Sequence, residues 1–81
     1  MGLSLWRFDM TPETLKSARN TLGLSAEGFA KLVKVESGRT VRRWEAGERD
    51  IPGPVVVIVG ALMESRAVRR YFGVALDGDS T

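Results

Sequence analysis

The chain has 81 residues and a formal net charge of +2, with neither cysteine nor histidine. That length allows one domain. The missing residue types exclude a disulfide framework, a thiolate metal site, and the commonest metal ligand and neutral-pH general base. The longest apolar run, Val55 to Met63, falls far short of the roughly 20 residues of a membrane span. The first ten residues lack the charged stretch and long apolar run of a secretory signal. A soluble, cytoplasmic protein with no metal and no cofactor is therefore expected.

Residues 1–10 read as a lead-in. Leu3, Leu5, Trp6 and Phe8 suit a short extended arm packing on the domain or on a second subunit. The alternative is an extension ahead of an internal start at Met10. The first helix is predicted to begin near Thr11, a good N-cap. Pro12 fits the first helical position, and Glu13 complements the positive helix end. Leu15, Ala18 and Leu22 recur at helical spacing and mark a buried stripe, and Gly23 supplies a left-handed stop.

Ser25 is predicted to cap a second helix over residues 26–33, with Phe29, Ala30, Leu32 and Val33 as its core face. Gly28 stands where a capping box would place Glu or Gln. Residues 34–37 form a short connection, and Val35 is expected to plug the angle between two helices. A third helix is predicted from Gly38 to Ala46, with Ser37 as cap and Gly47 as terminator.

Residues 47–53 are a loop by composition. The segment from Pro54 to Glu64 is ambiguous, because the β-branched run Val55–Val59 favours a strand. Pro54 at the start, the absence of alternation and the length favour a buried helix, which is the reading adopted. A last helix is expected over residues 65–72, opened by Ser65 and closed by Gly73. Val74 to Thr81 reads as a polar, frayed tail. The predicted fold is thus all-α, a compact bundle of about five helices, divided into an arm (1–10), a domain (11–73) and a flexible tail (74–81).

The third helix carries the chemistry. At about 100° per residue, Val41, Trp44 and Glu45 fall on one side. Arg39, Arg42, Arg43 and Ala46 fall on the other, with Thr40 on the flank. Such a helix can bury Val41 and Trp44 while presenting arginines outward, one turn apart. An arginine entering a major groove donates two hydrogen bonds to guanine O6 and N7. The competing reading is a solvated arginine face. The ordered set of capped helix, glycine stop, Ser-capped helix, short turn and arginine helix favours a helix-turn-helix.

Gly23-Leu24-Ser25, then Phe29-Ala30 and Leu32, then Arg39-Thr40-Val41-Arg42-Arg43-Trp44-Glu45-x-Gly47 resemble the phage repressor (Cro/C1-type, or XRE) helix-turn-helix. The resemblance spans residues 11–64, and Pro52-Gly53-Pro54 is similar to a subset of small phage and bacterial regulators. It implies a lambda-repressor-like bundle that binds a palindromic double-stranded operator as a homodimer, with half-sites about 34 Å apart. It also implies an ion pair between Arg19 and Glu45, with a structural role, whose loss costs at most about 3–5 kcal/mol. Two departures stand out. Ala26 replaces the Gln that often follows the second helix's cap, and the turn between Val35 and Thr40 is one residue longer than usual.

The chain has no Gln, and its single Asn is Asn20 on the first helix. The bidentate amide–adenine pairing is therefore missing from the third helix. Direct readout falls to Arg39, Arg42 or Arg43 on guanine and to Thr40 on a thymine methyl. Ser25, Lys31, Lys34, Ser37 and Arg49 are assigned to phosphate contacts, and Lys16 is a further candidate. Arg66, Arg69 and Arg70 read as solvated surface, with phosphate or a partner subunit as alternatives. Tyr71 and Phe72 are expected to bury against the core or a dimer mate, and Trp44, in phase with Val41, belongs to the core. The apolar 55–63 segment and the last helix are the candidates for dimerisation.

No catalytic constellation and no phosphate-cradling glycine loop is present, so an enzyme is not expected. The expected function is a sequence-specific transcriptional repressor acting by occlusion and regulating its own operon. The alternative is an antitoxin-type DNA-binding protein that also neutralises a protein partner, gripped by the apolar arm or by the tail from Val74.

Overall fold

The computed structural model describes residues 10–76 and Asp79. The arm residues Leu3, Leu5, Trp6 and Phe8, and the tail residues 77, 78, 80 and 81, lie outside the described residues. Five helices follow in order: α1 (Pro12–Thr21), α2 (Ala26–Val33), α3 (Gly38–Glu45), α4 (Gly53–Glu64) and α5 (Arg66–Phe72). The architecture is an all-α bundle, and no strand occurs among the described residues. None of the helices is long and apolar enough to cross a membrane.

Most boundaries follow from local chemistry. Thr11, Ser25, Ser37 and Ser65 each sit in extended backbone and accept a backbone N–H from the first turn of the helix that follows. Gly23, Gly47 and Gly73 adopt positive φ and end α1, α3 and α5. After each one the next amide donates back into the last turn: Leu24 to Arg19 O, Glu48 to Arg43 O and Val74 to Arg69 O. These are the paired bonds that satisfy orphan carbonyls at a helix end. α2 closes the same way through Val35 to Ala30 O, but its left-handed residue is Lys34 at φ 65°.

The core runs through four helices. Leu15 and Ala18 of α1, Ala26, Phe29 and Ala30 of α2, Val41 and Trp44 of α3, and Val55 and Val59 of α4 form one buried cluster. Met10, Leu24, Val33, Val35, Ile51 and Met63 pack around it. Val35 thus fills the α2–α3 corner, as its position predicts. The β-branched run of α4 is helical because Val55, Val59 and Leu62 share one face and are all buried. Burial on that face overrides strand propensity.

The core face expected for α2 is wider than the observed one. Leu32 is only half-buried, because it looks away from the cluster toward the end of α5, and Val33 is half-buried at its margin. Tyr71 and Phe72, expected to be buried, are 83% and 37% exposed. The inward position of α5 belongs instead to Arg69, and Tyr71 falls about 160° round the helix from it.

Arg69 is the second correction, since it is buried and not solvated. Its Nη1 donates to the carbonyl of Leu62 at 2.8 Å and to that of Met63 at 3.3 Å, oxygens left open in the last turn of α4. Its Nε and Nη2 grip the Asp79 carboxylate at 2.6 and 2.9 Å. Asp79 also accepts the Leu76 amide at 2.9 Å and Arg66 Nε at 3.4 Å, whereas Arg70 is exposed. The tail expected to fray is therefore tied down at Asp79.

The Arg69 hydrogen bonds, and then that of the Leu76 amide, hold the Asp79 carboxyl well below the ordinary carboxylate range. A depressed carboxylate stabilises the fold above its unfolded pKa and loses that contribution as pH falls toward its folded value. We expect the stability gap between the native chain and Asp79→Asn, read from urea midpoints, to stay constant from neutral pH to about pH 5. Below about pH 4, the ordinary Asp range, it should shrink. A gap unchanged down to pH 3 would rule out the clamp as an ionic contact.

Candidate nucleic-acid interface

α2 and α3 are joined by residues 34–37 and pack closely against each other. The closeness has a local cause at Gly38. A Cβ there would lie 2.9 Å from the Glu27 amide nitrogen and 3.1 Å from the Ala26 carbonyl carbon. Those are backbone atoms, so any larger residue would push the two helices apart. Gly38 N–H donates to Glu27 Oε2 at 2.9 Å. An acid from α2 thus meets the positive end of α3, the favourable sign for that position. Ser37 Oγ accepts from Arg39 N at 3.3 Å. The longer turn does not displace α3, which begins at Gly38 because the extra residues are used by the Lys34–Val35 helix stop and the Ser37 cap.

The inner face of α3 is anchored twice. Val41 and Trp44 are buried in the core. At the helix end, Glu45 takes Arg19 Nε at 2.6 Å on one oxygen and Nη2 at 3.0 Å on the other. Arg19 Nη1 donates to the Leu24 carbonyl at 3.0 Å. The ion pair implied by the resemblance is present, and only 12% of the Arg19 side chain and 6% of the Glu45 side chain are exposed. The hydrogen bonds that Arg19 donates to Glu45 raise the Arg19 pKa above its ordinary value, against the opposing effect of burial.

With that face fixed, Arg39, Arg42 and Arg43 are exposed and Thr40 is half-buried on the flank. The three guanidiniums have no partner among the described residues. The structure therefore brings together all four residues predicted to touch bases. Lys31, Lys34 and Arg49 are exposed, as is Lys16. Arg49 lies between the exposed acids Glu48 and Asp50, a weaker setting for phosphate than that of the two lysines. Ser25 and Ser37 use their oxygens as caps, which leaves each hydroxyl hydrogen free to donate. Ala26, which stands where the resemblance expects Gln, is buried and makes no side-chain polar contact.

Sequence reasoning missed Glu27, and it missed the backbone position of Lys34, which it assigns to a phosphate contact. The Glu27 contact spans 11 residues and needs the α2–α3 angle to exist first. Lys34 looked like an ordinary cation, but it occupies a left-handed position that glycine would fill without strain. A strained non-glycine residue persists only when something else retains it, and function is one such reason. Compared with models of known families, with characterised proteins and with solved structures, the chain matches none.

Two outcomes are expected in urea unfolding. Glu45→Ala leaves Arg19 buried without its counterion and should cost about 3 kcal/mol. Lys34→Gly should stabilise by about 1 kcal/mol and raise the melting temperature by roughly 4–8 °C. A neutral Glu45→Ala would show that core packing alone orients α3, and a destabilising Lys34→Gly would show that Lys34 carries no backbone strain.

Proposed function

We propose that this chain is a sequence-specific double-stranded-DNA-binding transcriptional repressor of the Cro/C1 type, with α3 as its recognition helix. The observation that carries this reading is an eight-residue helix clamped on one face by Val41, Trp44 and the Arg19–Glu45 pair. Its opposite face offers three exposed arginines with no partner among the described residues. A helix whose rotation is fixed spends none of its binding energy on ordering itself. Arg39, Arg42 and Arg43 would read guanine edges in the major groove, and Thr40 a thymine methyl. Ser25, Lys31, Lys34, Ser37 and Arg49 would set register on the phosphates. The retention of Lys34 at a left-handed position is consistent with that role.

The active form in this reading is a homodimer on a palindromic operator. α4 is apolar around its whole circumference, yet Val57 remains 67% exposed. A helix of that kind is ordinarily covered on all sides, so a second copy across Val57 is the proposed dimer contact. Binding would block polymerase at the promoter of the chain's own operon.

Fluorescence anisotropy on labelled DNA from upstream of the gene, against a scrambled duplex, tests the reading across a salt series. The expected preference is about a thousandfold or more. Arg39→Ala and Arg43→Ala should each lose about 1–3 kcal/mol on the operator and little on the scrambled duplex. Lys31→Ala and Lys34→Ala should weaken both duplexes alike and reduce the salt slope by about one each. Equal, weak affinity for both duplexes, unmoved by the arginine variants, would overturn the proposal, as would a selected operator with no fixed guanine.

A further inference from the structure

A second surface lies beside the proposed DNA face. Residues of α2, Leu24 and the C-terminal end of α5 enclose an open groove of about 710 Å³. Its apolar side is formed by Leu24 and Leu32, both half-buried, and by Phe72. Tyr71 stands 83% exposed at its wall, edge-on to Phe72 with ring centroids 5.0 Å apart and planes at 85°. Lys31 and Lys34 are its charged residues, and no acid belongs to the lining among the described residues. A large exposed aromatic held by another ring is the kind of residue that dominates protein interfaces. Neither ring serves the core or the α3 surface.

We propose that this groove docks a protein segment carrying acidic side chains and at least one large apolar anchor. The charge sign follows from the two lysines on a lining whose described residues include no carboxylate. The apolar anchor follows from Leu24, Leu32 and the aromatic pair, which a phosphate backbone would not use. A protein segment is favoured over single-stranded nucleic acid because the two rings pack edge-on beside Leu24 and Leu32 and offer no parallel aromatic platform for successive bases.

The placement has a consequence for DNA. At about 100° per residue, Lys31 lies between Glu27, which faces α3, and Leu32, which faces the groove. Lys31 therefore belongs to both surfaces, and Lys34, at the C-cap of α2, lines the groove and is also assigned to phosphate in the repressor reading. An acidic segment in the groove would take the lysines from phosphate, so the segment and the operator exclude each other. This last step rests on the repressor reading, whereas docking itself does not.

The test is selection of random peptides of about twelve residues, some three helical turns, displayed against the whole chain without DNA. The expected result is enrichment of acidic peptides containing Leu, Phe or Trp. A synthetic copy of an enriched peptide should bind Tyr71→Ala at least about tenfold more weakly, the loss typical of an aromatic anchor. Tyr71→Ala should hold operator DNA as the native chain does, and the peptide should displace that duplex. Enrichment without acidic residues, equal binding by Tyr71→Ala, or Tyr71-dependent binding of oligothymidylate would overturn the docking site. Simultaneous binding of peptide and duplex would overturn the exclusion. Tyr71-dependent peptide binding by a chain that holds no duplex would uphold the groove and refute the repressor reading.

Discussion

The bidentate contact between Arg19 and Glu45 is the constraint on which the arrangement of the arginine helix depends. α3 has only eight residues, too few to be stable alone in water. Its existence and its rotation are both imposed from outside. Val41 and Trp44 supply the apolar part of that imposition, but two side chains leave the helix free to rock about their axis. Glu45 removes this freedom at the C-terminal end, because a guanidinium gripped on both carboxylate oxygens is directional as well as attractive. Arg19 passes the restraint on to the Leu24 carbonyl, which lies just ahead of α2. One side chain thus relates the end of α1, the start of α2 and the end of α3.

The other end of α3 is fixed by contact instead of charge. Gly38 lets the backbone of α3 approach that of α2 within the reach of a single missing methyl. Glu27 then closes the approach with a hydrogen bond. The helix is held near its first residue by close packing and near its last by an ion pair. Those restraints leave the arginine face with one orientation, whatever it meets. Lys34 marks the cost of the tight corner, since a left-handed turn is where an L residue with a side chain is least comfortable.

The reach of the sequence follows the range of each interaction. Helix starts were legible at Thr11, Ser25, Ser37 and Ser65, and stops at Gly23, Gly47 and Gly73, because a cap involves residues two to five apart. The faces of α1 and α3 were legible from periodicity. The Arg19–Glu45 pair came from the resemblance, since spacing alone does not join residues 26 apart. Arg69 and Tyr71 were assigned to the wrong surroundings for one reason. On a seven-residue helix the inward face is chosen by the partners, and those partners were carbonyls of α4 and a carboxylate ten residues on. An arginine with that much hydrogen-bonding capacity displaced the aromatic side chains from the interior. Leu32 was misplaced similarly, because the eight residues of α2 left its phase loosely defined.

A net charge of +2 looks too small for a protein proposed to hold a polyanion. The structure changes what that number means. Between residues 25 and 49 the chain carries six cations, Lys31, Lys34, Arg39, Arg42, Arg43 and Arg49, against four acids. Two of those acids are engaged: Glu45, largely buried, lies against Arg19, and Glu27, though exposed, accepts the Gly38 amide at the positive end of α3. Glu36 and Glu48 are the exposed carboxylates of that stretch that make no such contact among the described residues. Far from it, Asp79 is spent on Arg69. Carboxylates are thus consumed in holding helices together while most of the cations on α2 and α3 stay free. Because screening over about 8 Å hides distant charges from one another at physiological salt, an approaching phosphate would sense this local excess and not the total. The interactions that orient α3 are therefore also those that keep its outer face positive.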